Sequence, residues 1–127
     1  MNEKEIISKL GICNYDIRLV IGTTRIDYDI TKEEENRKKH GYSLESAVYI
    51  LERELLPISS VPLITSYSFR ENDEVRHIHL GVDDGGKVVF FVTTMRPDET
   101  VWVISLRRAS KKEREIFYKH TGYKESL

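Results

Sequence analysis

Two adjacent arginines, Arg107 and Arg108, stand where an apolar segment gives way to a basic one. Residues 101–106 have the β-branched and apolar character of a strand. Ser110 with Glu113 three residues later is a capping box, which predicts that a helix starts there. Alternation with period two places Arg107 on the strand face that also carries Val101, Val103 and Ser105. A guanidinium held in this way suits bidentate phosphate recognition, so the sequence predicts an anion-binding site at this joint.

A second dense block of charge covers residues 29–41 and ends in Lys38-Lys39-His40. Thr31 with Glu34 predicts that a helix begins near Thr31, and Gly41 is typical of the position after a helix. Cations in the last turn are favoured by the helix macrodipole alone. A structural and a functional interpretation of this block therefore stay equally open.

His77 and His79 are two residues apart in a predicted strand and share one face, a spacing that could bind a metal. Cysteine and a third histidine are absent nearby, and two ligands make an incomplete site. We expect a solvated polar strand face here, with no metal and no cofactor.

The elements that must position these residues change period along the chain. Residues 25–28 alternate as a half-buried strand does, and Glu3–Leu10 and residues 17–21 have weaker helical and β character. Ser43 caps a second helix, which Pro57 ends and whose apolar face comprises Leu44, Ala47, Val48, Leu51 and Leu55.

From residue 61 the period is two, with strands at 61–69, 75–82, 88–94 and 101–106. The turns between them fall at 71–74, 83–86 and 96–99, and the last helix runs to about His120, before Gly122. The predicted fold class is α+β: an antiparallel sheet of four strands, or slightly more, with two N-terminal helices and a C-terminal helix.

Composition limits the classes of protein that fit. The 127 residues carry a net charge of -1, divided as about -4 over residues 1–75 and +3 over residues 76–127. A single cysteine, Cys13, excludes an internal disulfide. Neither a signal peptide nor a membrane-spanning run is apparent, so we expect a cytoplasmic protein that does not enter the membrane.

Four segments in order resemble the BrnT family of type II toxin–antitoxin ribonucleases, relatives of the RelE-like toxins. They are Asp29-x-x-Lys32-x-x-x-Asn36 with Lys39-His40-Gly41, then Arg76 to Gly81, then Thr93-Thr94 with Arg96, and finally Ile104 to Ala109 with Glu113-Arg114 and Tyr118. The resemblance spans about residues 26–118. It implies one RelE-like toxin domain over 1–127, in which residues 1–24 are an N-terminal extension.

The resemblance implies metal-independent cleavage of RNA, in which the 2′-hydroxyl attacks the adjacent phosphate. Arg76 and Arg107 would hold that phosphate, and His40 or Lys39 would transfer a proton. Glu113 is a second candidate base, and Tyr118 would stack on a base or donate a proton. The remaining candidates are cations that would bind the RNA: Arg96, Arg108, Lys111 and Arg114.

The family also implies partners: the RNA substrate and a cognate DNA-binding antitoxin, through which alone the toxin would meet DNA. Two alternatives remain. One is a catalytically inactive BrnT-like binding module, which the acidic balance favours, as does Trp102 at a place where the family often has a basic residue. The other is an unrelated α+β adaptor whose N-terminal extension mediates oligomerisation.

Overall fold

The computed structural model describes residues 25–54, 61–66, 68–96 and 100–125. Over these ranges the chain forms three helices and a mixed sheet of six strands, so the α+β prediction is confirmed. The elements are, in chain order, β1 (Ile26–Tyr28), α1 (Ile30–His40), α2 (Leu44–Glu54), β2 (Ile64–Thr65), β3 (Phe69–Glu71), β4 (Glu74–Val82), β5 (Val88–Met95), β6 (Val101–Arg108) and α3 (Lys111–Thr121). None of the described helices is long and apolar enough to cross a membrane.

The sheet has the order β1-β6-β5-β4-β2, and β3 also pairs with β4. Strands β4, β5 and β6 form the predicted meander, in which β5 is central and apolar on both faces. The short β1 adds a parallel edge strand beside β6, pairing Ile26 with Val101. This parallel pair was not predicted, because three residues of alternation do not reveal their partner strand.

Each face of the sheet covers its own apolar core. Helix α2 packs on one face through Leu44, Ala47, Ile50 and Leu51. Helix α3 packs on the other face, where Phe117 is fully buried near Ile78, Leu80 and Phe90. Gly81 allows α2 to approach the sheet closely, because a Cβ there would lie 3.0 Å from Ile50 Cγ2.

Three local predictions were wrong. Residues 61–69 do not form one strand: β2 pairs antiparallel with one half of β4 and β3 with the other. The first helix is capped by Asp29, whose carboxylate accepts from the Thr31 amide at 3.0 Å, so Thr31 lies inside the helix. The third concerns the register of β6 and is described with the site.

Several other predictions hold. Ser110 and Glu113 form a reciprocal capping box, and Gly41 and Gly122 follow their helices with φ of 75° and 74°. The hairpin between β4 and β5 turns at Asp83–Gly86. Predictions for Glu3–Leu10, residues 17–21, Leu55, Pro57 and residues 97–99 lie outside the described residues. The division of the chain into one domain with an extension at residues 1–24 stays a prediction.

Candidate active-site cleft

Helix α1 lies along the edge of β6 beyond the end of β1, and Asn36 attaches it there. The Asn36 amide donates to the carbonyl oxygens of Leu106 and Tyr42, each at 2.9 Å, and accepts from the Leu106 amide at 3.0 Å. One buried side chain thus replaces the neighbouring strand that Leu106 lacks on this side. This attachment fixes which residues of α1 face the end of the sheet.

A cleft of about 170 Å³ opens between α1 and β6, and we call it the α1 cleft. Its lining consists of Lys32, Glu35, Asn36, Lys39, His40, Ile104 and Ser105. Positions 32, 35, 36 and 39 of α1 recur at intervals of three and four residues, so they share one side of the helix. Two lysines and a histidine therefore surround one carboxylate in a space suited to an anionic group.

His40 is half-buried at the C-terminal end of α1. Burial lowers its pKa from the usual 6.5, and the positive charges of Arg107 and then Lys39 lower this pKa further. The imidazole is accordingly neutral at pH 7 and able to accept a proton. Lys39 and His40 line one cleft, and Arg107 lies near enough to His40 for its charge to lower the pKa of the imidazole.

Arg107 is held by a buried carboxylate on α3. Its Nη1 and Nη2 donate to the two Glu113 oxygens at 2.8 Å each, and Nη1 also donates to the Arg108 carbonyl at 3.0 Å. The guanidinium also lies 3.9 Å from the centre of the Phe90 ring. Glu113 additionally accepts from the Ser110 amide at 2.7 Å. Both of its carboxylate oxygens therefore already accept hydrogen bonds from groups of the protein.

A β-bulge sets the direction of Arg107. Val92 pairs with Ser105, but the next residue, Thr93, pairs with Val103, so Ile104 is an extra residue in β6. Val101 and Val103 join the α2 core together with Leu106, whereas Arg107 lies over Phe90 on the α3 face. The prediction that Arg107 shares a face with Val101 and Val103 was therefore wrong, although Ser105 does stay on its side.

Arg76 lies at the opposite end of the sheet. It pairs with Thr94 of β5, whereas Arg107 is level with Phe90 and Leu80. Two strand spacings and four residues of rise separate the two arginines by about 16 Å. The Arg76 guanidinium donates to Glu71 at 3.1 Å and to Glu74 at 3.0 Å. The structure does not bring Arg76 to the α1 cleft.

The four remaining predicted cations are not among the residues that line the α1 cleft. Arg96 donates to Asp29 at 2.8 Å and lies 4.5 Å from the centre of the Trp102 ring, so it ties β5 to the start of α1. Arg108 pairs with Glu125. Lys111 and Arg114 line a separate groove on α3 together with Tyr118, which is therefore not in the α1 cleft.

The two strand histidines are not a solvated face, contrary to expectation. His79 is 2% exposed, and its Nδ1 and Nε2 are hydrogen-bonded to the hydroxyls of Thr65 and Thr93 at 2.9 and 2.8 Å. Its ring stacks on Phe91 with 4.7 Å between centroids. Among the described residues, no group of three or more His, Cys, Asp or Glu side chains is arranged to hold a metal.

Sequence reasoning missed Ser105, Lys32 and Glu35 as lining residues of the cleft. Helical spacing from Lys39 would have found Glu35 and Lys32, which lie four and seven residues earlier. No sequence signal marks Ser105, because its direction depends on the bulge at Ile104.

The mixed sheet, the helix fixed at its edge and the cleft between them define a small α+β protein whose surface cleft is lined by two lysines, a histidine and a glutamate. The chain belongs to the family of BrnT ribonuclease toxins of type II toxin–antitoxin systems, since the sequence model of that family matches residues 28–113. That range contains every predicted site residue except Tyr118 and Arg114.

Among solved structures, the chain is similar to the 1.1 Å crystal structure of the Brucella abortus ribonuclease toxin BrnT. The match has 23% sequence identity and a TM-score of 0.46, and covers 70% of this chain and 100% of that one. No curated protein shows significant similarity to the chain.

Proposed function

We propose that this chain is a cytoplasmic endoribonuclease toxin that cleaves RNA in the α1 cleft without a metal ion. The observation that carries the proposal is that Lys39, His40 and Ser105 line one cleft, with the positive charge of Arg107 close enough to lower the pKa of His40. Membership of a family of ribonuclease toxins supports it. A cognate antitoxin would neutralise the toxin, and that antitoxin would supply all contact with DNA.

The reaction is an in-line displacement at phosphorus. Neutral His40 takes the proton of the RNA 2′-hydroxyl while the 2′-oxygen forms a bond to the adjacent phosphorus. The bond from phosphorus to the 5′-oxygen breaks, and protonated Lys39 supplies the proton that this leaving oxygen needs. The products are a 2′,3′-cyclic phosphate and a 5′-hydroxyl, and no atom of the mechanism comes from a cofactor.

Arg107 stabilises the charge that develops on the phosphorane. A guanidinium has five N–H donors, and the bonds to Glu113 and the Arg108 carbonyl use three of Arg107's. Over the described ranges, the edge formed by Nε and the second Nη2 hydrogen has no protein partner. This edge has the geometry for two parallel bonds to phosphate oxygens.

The proposal is tested by inducing the chain in a bacterial host and following growth and total RNA. The variants are Lys39→Ala and His40→Ala, with Lys38→Ala as the matched control, because the Lys38 side chain is 77% exposed one position away and pairs with Glu34. We expect growth arrest and RNA decay with the wild type and with Lys38→Ala. Each cleft variant should lose roughly 100-fold or more in cleavage rate.

The chemistry is tested separately with purified protein and RNA. Cleavage should persist in excess EDTA and leave a cyclic phosphate, because both proton transfers are assigned to side chains. Loss of activity in EDTA that returns with a divalent cation would refute the metal-independent mechanism while leaving a ribonuclease.

A catalytically inactive BrnT-like binding module is the second candidate. It is favoured by the position of Arg76, which leaves only one of the two predicted phosphate-holding arginines near the cleft. Purified chain that binds its antitoxin, leaves RNA intact and does not arrest growth would establish this alternative.

A further inference from the structure

A second concave surface lies beside helix α3, apart from the α1 cleft, and we call it the α3 groove. It has a volume of about 360 Å³ and is lined by residues that include Lys111, Arg114, Tyr118, Tyr123 and Lys124. Tyr118 is 55% exposed, and among the described aromatic side chains only Tyr49 is more so. An exposed ring above a groove is a surface on which a planar ligand can stack.

The walls of the α3 groove are fixed by contacts with the β4–β5 hairpin. The Tyr123 hydroxyl donates to the Gly86 carbonyl at 2.6 Å, and the Tyr123 ring packs edge-on against buried Phe117. Glu125 accepts from the Val88 amide at 2.6 Å and pairs with Arg108. The groove is therefore formed before any ligand arrives, which lowers the entropic cost of binding.

The charge of the α3 groove favours a polyanion. Lys111, Arg114, Lys124 and neighbouring Arg108 bring four cations, against the carboxylates of Glu115 and Glu125. Arg114 is oriented by its bond to the Ala109 carbonyl at 2.7 Å. Cations beside an exposed aromatic ring are the combination by which proteins bind single-stranded nucleic acid.

The groove and the α1 cleft are linked through one helix. Glu113 in the first turn of α3 holds Arg107, and Tyr118 lies five residues further along, about 8 Å along the helix axis and about 140° around it. An RNA strand whose phosphate binds Arg107 would therefore reach Tyr118 by passing around the first turns of α3.

We propose that the α3 groove binds one unpaired base of the RNA substrate by stacking it on Tyr118, while Lys111 and Arg114 contact its phosphates. The inference rests on the proposed ribonuclease function and assigns Tyr118 to substrate binding instead of proton transfer. It makes single-stranded RNA the preferred substrate, because a base within a duplex cannot stack on a side chain.

The test measures the affinity of the whole chain for a fluorescent, unstructured 2′-O-methyl oligoribonucleotide, which has no nucleophile and is not cleaved. Tyr118→Ala should weaken binding by roughly 5- to 100-fold, the usual effect of removing one stacked base. Tyr118→Phe, which keeps the ring and removes the hydroxyl, should bind as the wild type does. Tyr49→Ala is the matched control, because Tyr49 is 68% exposed on α2, outside the groove.

Two further measurements separate stacking from general charge attraction. Lys111→Ala should reduce the slope of log affinity against log salt by about 0.7, the value for one phosphate contact on a single strand. In cleavage of natural RNA, Tyr118→Ala should raise KM by the same factor as it weakens binding and leave kcat within about twofold.

Unchanged RNA affinity in Tyr118→Ala, while the wild type binds and cleaves RNA, would overturn the inference and leave the proposed function intact. A wild-type protein that neither binds nor cleaves RNA would overturn both. Tyr118→Ala protein that keeps RNA affinity and loses affinity for the purified antitoxin would reassign the groove to the protein partner. A kcat loss shared by Tyr118→Ala and Tyr118→Phe would overturn the inference and show that the Tyr118 hydroxyl takes part in proton transfer.

Discussion

Arg107 has a structural role in addition to the role that we propose for it in cleavage. The Glu113 carboxylate that it pairs with is 2% exposed, whereas the Arg107 side chain is 27% exposed. Removing the arginine leaves a buried carboxylate with one backbone partner, Ser110, which is costly in a low-dielectric interior. Lost activity in an Arg107 variant therefore does not by itself establish a catalytic role for this arginine.

We predict that Arg107→Ala lowers the free energy of unfolding by about 3 kcal/mol, the lower end for a buried pair because Arg107 is partly exposed. Urea denaturation measures the loss. Adding Glu113→Gln to that variant should recover part of it, since the neutral amide needs no counter-ion. An Arg107→Ala protein as stable as the wild type would show that the pair contributes nothing to folding.

His40 provides a second test at single-residue scale. Burial lowers its pKa first, and Arg107 and Lys39 add to this effect, so removing a positive charge should raise the pKa. We predict that the ring titrates below 6.5 in the wild type and closer to 6.5 in Lys39→Ala. An NMR titration of the His40 ring gives both values.

The same change has a kinetic consequence. If His40 is the base, the cleavage rate falls as pH drops through its pKa, and Lys39→Ala moves that fall to higher pH. Lys38→Ala, on the exposed side of α1, should leave the titration of His40 where it is. Identical titrations in all three proteins would contradict the electrostatic account.

At the scale of elements, the sequence predicted correctly those features that depend on residues close together in the chain. The capping box at Ser110, the hairpin at Asp83–Gly86 and the two helices ending before Gly41 and Gly122 depend on neighbours within a few residues. The bulge at Ile104 and the partner of β1 depend on pairing between distant segments. Periodicity therefore identified β6 as a strand but assigned Arg107 to the wrong face.

The bulge also turns Ser105 into the α1 cleft, where its hydroxyl can donate to a phosphate oxygen. We predict that Ser105→Ala lowers the cleavage rate on the order of 100-fold, the effect of removing one preorganised donor, with unchanged stability. Ser46→Ala on α2 is the control. Full activity in Ser105→Ala would remove this hydroxyl from the mechanism.

Asn36 determines whether α1 stays against the sheet. Its three hydrogen bonds satisfy backbone groups of Leu106 and Tyr42 at a position that is 6% exposed. We predict that Asn36→Ala lowers the free energy of unfolding by roughly 3 kcal/mol, because buried backbone groups lose their partners. Amide exchange at Leu106 should accelerate as well.

Asn36→Asp separates these hydrogen bonds from packing. The aspartate has nearly the same shape but places an oxygen against the two carbonyl oxygens, so it should be at least as destabilising as alanine at pH 7. Lys38→Ala on the exposed side of α1 should change stability by less than about 0.5 kcal/mol. An aspartate variant of wild-type stability would show that the amide donors are not needed.

At the scale of the whole molecule, one sheet has the proposed catalytic cleft beside β6 and a buried polar side chain, His79, in its interior. Strand alternation predicted a solvated polar face at His77 and His79, because two histidines alone make an incomplete metal site. The structure instead encloses His79 between the hydroxyls of Thr65 and Thr93, which belong to the two neighbouring strands β2 and β5. Burial of a titratable group in this position makes global stability depend on pH.

The direction of this pH dependence follows from the pKa of His79 in the folded and in the unfolded protein. Burial, and then the charge of His77, lower its pKa in the folded protein from 6.5 to about 3. Below pH 6.5 the unfolded chain gains a proton on this residue that the folded protein does not, until the pH reaches about 3. We predict that His79 alone lowers the free energy of unfolding by roughly 1 kcal/mol per pH unit across this window as pH falls. Urea denaturation at pH 7, 6, 5 and 4 measures the slope, and His79→Gln should flatten it, while His120→Gln on the exposed end of α3 keeps it. Equal slopes in His79→Gln and the wild type would mean that other groups cause the acid sensitivity.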